Sequence, residues 1–186
     1  MPNTPKNPAD NEPTHTPSPC KKSALNPPGS PCTDSPELDT KPELDTKQWF
    51  KAQERAHDGE TRPLQQALNA LSFDPNGLIP VIAQCADTQV VLMMAWMNTD
   101  ALAETLETGW VCYWSRSRRQ LWRKGESSGH RQKLVSLHID CDGDTLLARV
   151  AQTGPACHTN RHNCFFWSVD TAQANISLKE IQKSEA

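Results

Sequence analysis

The chain has 186 residues, a formal net charge of −3, fifteen prolines, seven cysteines and six tryptophans. That length allows one or two domains, and the small net charge names no partner because it averages an acidic tail with a locally basic segment. No run of about 18 apolar residues occurs, which excludes a transmembrane helix.

The first residues carry prolines instead of the apolar stretch of a secretory signal or the Arg-rich helix of a transit peptide, so a cytoplasmic protein that meets no membrane is expected. An odd number of cysteines without a regular framework fits thiols that act as ligands or core residues in a reducing compartment. Eleven of the fifteen prolines precede residue 48, and that stretch is rich in Asn, Thr and Ser and poor in aliphatic residues. It cannot bury enough apolar surface to offset an ordering cost of roughly 1–2 kcal/mol per residue, so residues 1–47 are expected to be a disordered tail. The hexapeptide PELDTK stands twice in tandem there, at 36–41 and 42–47, too few copies for a solenoid and best taken as a duplicated linker. Cys20, Cys32 and His15 fall in the tail and receive no role.

Residues 48–72 are expected to form a linker with short helices, one of them near 63–71 and opened by Pro63, with His57 exposed. A domain is then expected over 73–170, followed by a C-terminal tail at 171–186. It opens on the turn FDPNG, where Asn76 and Gly77 can take positive φ. The apolar runs IPVIAQCA and VVLMMAWM, joined by Asp87-Thr88-Gln89, form a hairpin with Cys85 as a core thiol. A helix follows, capped by Asn98 or Thr99, favoured by Asp100 and ended by Gly109. WVCYWSRS is a strand that buries Cys112, LVSLHIDC and TLLARVAQ make a hairpin around Asp142-Gly143, and CFFWSVD is a last strand. About six strands and two or three short helices predict an α+β fold with a mostly antiparallel sheet.

Three constellations carry chemistry. The first is YWSRSRRQLWRKGESSGHRQK, where Arg116, Arg118, Arg119, Arg123, Lys124, Arg131 and Lys133 face one acid, Glu126, with Trp114 and Trp122 between them. Guanidinium forks and a Gly-rich backbone suit phosphate oxygens while indoles stack on a base. A single-stranded nucleic acid groove would use the same features, and so would a plain basic surface over core tryptophans.

The second is the comb Asp140, Asp142 and Asp144, hard oxygen donors that suit magnesium. Its D-x-D-x-D start resembles a calcium loop, but Thr145 and Ala151 stand where that loop needs Gly and Glu, leaving a magnesium site or a solvated acidic turn. The third is Cys141, Cys157 and Cys164, soft donors for zinc. Strand alternation would place Val135, Leu137, Ile139 and Cys141 on one face and Ser136, His138, Asp140 and Asp142 on the other, which favours two separate centres. Three thiolates leave a fourth position for a water, whereas His158 or His162 as a fourth ligand would make a closed structural site. Both zinc chemistries stay open on spacing alone.

FDPNGLIPVIAQ, VLMMAWMN, YWSRSRRQLWRKGESSGH, DCDGDTLL and GPACHTNRHNC, in this order from about Phe73 to Trp167, resemble the motifs of the phosphoribosyl-AMP cyclohydrolase family of histidine biosynthesis. The resemblance implies an intertwined homodimer with one zinc and one magnesium ion per subunit. It makes Cys157 and Cys164 of one subunit and Cys141 of the other the zinc ligands, and Asp140, Asp142 and Asp144 the magnesium ligands. The implied reaction is hydrolytic opening of the adenine ring of 1-(5-phosphoribosyl)-AMP between N1 and C6, by a zinc-activated hydroxide. His158, or else His130, would then transfer protons. Trp114, Arg116, Arg118, Trp122, Lys124, Ser127 and Ser128 would bind this nucleotide, and no nucleic acid. Two rival classes remain distinguishable: a zinc module that binds single-stranded nucleic acid, and a magnesium-dependent phosphohydrolase.

Overall fold

A computed structural model describes residues 46–179 of the chain. The expectations for residues 1–45, including the first PELDTK copy, Cys20, Cys32 and His15, lie outside the described residues, as does the chain from 180 onward. The expected tail nevertheless ends two residues early, because helix α1 spans Thr46–Gln53. Helix α2, Leu64–Asn69, follows Pro63 at its N-cap. There the fixed φ of proline, −59°, suits a helix entrance.

The turn at 74–77 closes through Asp74, whose carboxylate accepts hydrogen bonds from the amides of Asn76 and Leu78 at 2.8 and 2.9 Å. Gly77, at φ 71°, supplies the positive φ while Asn76 does not. Strands β1 (Ile79–Cys85) and β2 (Val91–Met97) then pair antiparallel. In β1 the odd-numbered side chains Ile79, Val81, Ala83 and Cys85 are all buried. Such one-sided burial marks the period of two in a strand that lines a core. Helix α3, Thr99–Thr108, has the Asn98 carboxamide accepting from Ala101 N at its start and Gly109 at φ 71° at its end.

Strand β3, Cys112–Ser115, pairs with a strand absent from the sequence expectations, β4, Gln120–Arg123. Basic side chains masked β4, because Arg118, Arg119, Arg123 and Lys124 hide a short Leu121-Trp122 pair in a segment without apolar alternation. Strands β5 (Gln132–Ile139) and β6 (Leu146–Gln152) form the expected hairpin. The four-stranded sheet runs β2-β1-β6-β5, with β1 and β6 parallel and the other pairs antiparallel. The last hairpin joins β7, Trp167–Asp170, to β8, Asn175–Leu178. The expected strand CFFWSVD therefore begins only at Trp167, and the expected tail at 171–186 contains a paired strand. With eight strands and three short helices among the described residues, the fold is α+β and mostly antiparallel.

The alternation expected in β5 needs correction. Its register with β6 shifts between Leu134 and Ser136, so Val135 is the extra residue of a bulge and stands 58% exposed. The inward positions become Leu134, Leu137 and Ile139, which pack on the core. The strand also stops at Ile139, so alternation does not reach the residues it was expected to separate.

Candidate active site

The chain segment 153–164 is irregular and is held by its own backbone. Ala156 N donates to His162 O, Cys157 N to Arg161 O and Asn160 N to Cys157 O, at 3.1–3.2 Å. Cys164 N donates to Leu92 O of β2 at 2.7 Å and fixes the loop to the sheet. Asn160 takes φ 60°, a left-handed turn that a short amide side chain tolerates. This winding brings Cys157 and Cys164 into side-chain contact.

The two thiols are electrically unlike. Burial pushes Cys157 upward, but the Thr159 hydroxyl and amide, the Cys164 thiol and Arg161 outweigh it and hold its pKa below the ordinary thiol value. The Thr159 hydroxyl lies 3.0 Å from Cys157 Sγ. Cys164 is pushed up to about 11, first by burial and then by Cys157 beside it. The pair thus favours one thiolate next to one thiol, the electrostatics of a site that lacks a cation between two sulfurs. Lys124 is buried nearby, and its pKa is lowered by desolvation against the pull of both thiols. Its ammonium donates to His130 O at 3.1 Å.

These groups line one cleft of about 480 Å³. Arg118, Trp122, Lys124, Ser127 and Ser128 contribute from the segment that includes β4, and Cys157, His158 and Cys164 face them together with His130. Two glycines that composition did not single out position His130. A Cβ on Gly154 would run into the imidazole of His130, and one on Gly125 would overlap its backbone carbonyl. Thr159 and Asn160 were also missed, although Asn inside a Cys-x-x-Asn segment is a turn signal. His158 Nδ1 lies 4.0 Å from Cys157 Sγ.

Two expected nucleotide-binding residues lie elsewhere. Trp114 and Arg116 line a second cleft of about 550 Å³ with Trp96, and only Trp122 borders both clefts. Neighbouring residues of a strand face opposite ways, which separates Trp114 on β3 from the thiol cleft, while Arg116 stacks 5.0 Å from the centre of the Trp96 ring.

The acidic comb occupies the turn between β5 and β6. Asp140, Asp142 and Asp144 each offer a carboxylate oxygen within 4.8 Å of the others. Asp140 Oδ1 accepts from the amides of Asp144 and Thr145 at 3.0 and 3.1 Å. Helix α1 presses on this turn, since a Cβ on Gly143 would strike the Phe50 ring, and Ser72 N donates to Gly143 O at 2.8 Å. Cys141 is exposed on the same turn, 4.0 Å from Asp142 Oδ1, so it does not point away from the aspartates as alternation implied. Nor does it join the other two thiols. Among the described residues the aspartates are the one triad of imidazole, thiol or carboxylate groups, and neither His158 nor His162 completes a closed site on Cys157 and Cys164.

The donor chemistry suits two kinds of ion: paired soft sulfurs for zinc, and clustered hard oxygens for magnesium. No helix among the described residues is long and apolar enough to cross a membrane.

Residues 93–166 match the family model described as phosphoribosyl-AMP cyclohydrolase. Proteins of that name are similar to this chain. The one from Alkalilimnicola ehrlichii is 62% identical over 121 residues, which covers 65% of this chain and 85% of the relative. That of Hydrogenovibrio crunogenus is 53% identical over 137 residues, 74% of this chain and 93% of the relative. A third, from Alcanivorax borkumensis, is 53% identical over 133 residues, 72% of this chain and 94% of the relative.

Proposed function

The chain belongs to the phosphoribosyl-AMP cyclohydrolase family of hydrolases, and from that premise we propose that it opens the adenine ring of 1-(5-phosphoribosyl)-AMP by hydrolysis of the N1–C6 bond, the third step of L-histidine biosynthesis. The observation that carries the reading is the cleft in which a thiol pair, two imidazoles, an indole and basic groups converge.

Cys157 and Cys164 would hold a zinc ion together with Cys141 of a second copy, in a homodimer. The reason is that one chain unites two thiols and leaves the third on an exposed turn. Zinc bound by three protein ligands supplies Lewis acidity that brings the ionisation of a water near neutral pH. The aspartates would hold magnesium, which supplies charge neutralisation for a phosphate.

The protein's own residues do the rest. The Trp122 indole offers a stacking face for the purine, and Arg118, Lys124, Ser127 and Ser128 offer donors to phosphate oxygens. N1-ribosylation makes the ring an electrophilic amidine; water adds at C6, and the C6–N1 bond breaks as N1 gains a proton. His158, beside the thiol pair, is placed to take the proton from the incoming water and return it to N1, with His130 across the cleft as the second imidazole. Trp114 and Arg116 lie outside this cleft and have no part in the proton transfers.

The test is an assay with 1-(5-phosphoribosyl)-AMP in which purine absorbance and inorganic phosphate are followed together. The expected result is loss of the purine spectrum, appearance of the ring-opened ribotide and no phosphate. Phosphate release with an intact ring would replace this reading with a phosphohydrolase. An inert nucleotide, with tight and steeply salt-dependent oligonucleotide binding instead, would replace it with a nucleic-acid module.

A further inference from the structure

Strands β7 and β8 make a ribbon that packs against no other element to any extent among the described residues. Trp167 stands opposite Leu178 and Val169 opposite Ile176. Directly opposed residues, and residues two apart, share a face. One face of the ribbon is therefore entirely apolar, while Ser168, Asp170, Asn175 and Ser177 make the other polar. The four apolar side chains are 58–69% exposed. A lone two-stranded hairpin is marginally stable in water, so a ribbon of this composition is built to be covered.

We propose that a second copy of this chain covers the apolar face, each protomer lending its β7–β8 ribbon to the other. The inference rests on the reading that the thiol site is shared between two chains. Three features select that occupant. The ribbon begins three residues after Cys164, so it leaves the body of the chain beside the place where a partner's Cys141 would enter. The chain also exposes apolar side chains that could receive a ribbon: Met94 at 45%, Trp110 at 43% and Val135 at 58%. Finally, reciprocal exchange about a twofold axis covers both faces at once and leaves no ribbon free to propagate a fibre.

The experiment compares the full chain with Val169→Asp/Ile176→Asp by light scattering on a size-exclusion column over a dilution series. The original chain is expected to be a dimer, and the variant to dissociate at about 100-fold higher concentration, as for charges placed in an interface centre. A variant dimer as tight as the original would overturn the ribbon's role while leaving the shared site standing. An original chain that is monomeric at every concentration would overturn both. Should the variant not fold, hydrogen exchange on the original chain decides the matter. Protection of amides 167–178 should vanish at the dilution that dissociates the dimer, and protection that persists in the monomer would show that the chain's own residues cover the ribbon.

Discussion

At the scale of single residues the site turns on two sulfurs in contact with opposite proton affinities. Cys157 is held below, and Cys164 raised to about 11, relative to an ordinary thiol. At neutral pH Cys164 therefore carries a proton that zinc must displace. Binding releases it, and affinity rises with pH by about tenfold per unit for each proton released. Titrating zinc-free protein in buffers of different ionisation enthalpy should show release of at least one proton per zinc, and zero release would contradict the assignment. Substitutions divide the roles further. Cys157→Ser should lose tightly bound zinc and nearly all turnover. Asp142→Asn should keep zinc and recover part of its activity with added magnesium. His158→Ala should keep zinc while turnover falls by about 10²–10⁴-fold, the range for a lost proton-transfer group. Metal analysis that finds zinc missing from His158→Ala would make the imidazole a ligand instead. The metal-ligand types were legible from the chain because sulfur and carboxylate spacing is a local property. Which sulfurs meet was not, because the winding of 153–164 depends on Thr159, Asn160 and an anchor on β2.

At the scale of elements, helix α1 lies against the acidic turn, although it precedes every motif from which the site was read. The Phe50 ring occupies the space that a Cβ on Gly143 would need. Phe50 is half-buried, so Phe50→Ala should cost about 2 kcal/mol, roughly half of a fully buried Phe→Ala change. It should also weaken manganese binding at the aspartates, measured by paramagnetic resonance with manganese standing in for magnesium. An unchanged affinity would show that the turn is rigid without α1. Sequence reasoning located the β1–β2 and β5–β6 hairpins and helix α3, where periodicity and caps agree. It missed β4 and β8, four residues each, whose side chains are charged or face no core. It also lost the phase of β5, because a bulge leaves no mark on the chain.

At the scale of the whole molecule, the three sulfurs that suit one zinc ion are divided within a single chain: two in a cleft and Cys141 on an exposed turn. A second copy completes the set, and two such sites arise from one twofold axis. The measurement that tests this most directly mixes two inactive proteins, Cys141→Ala and Cys157→Ala, under conditions where chain exchange is demonstrated. In a mixed dimer one site receives both substitutions and the other receives neither. The expected result is ring opening that returns to about half the activity of an unsubstituted dimer for each mixed dimer formed, with one zinc bound per mixed dimer. Exchange without any return of activity or zinc would contradict a site built from two chains.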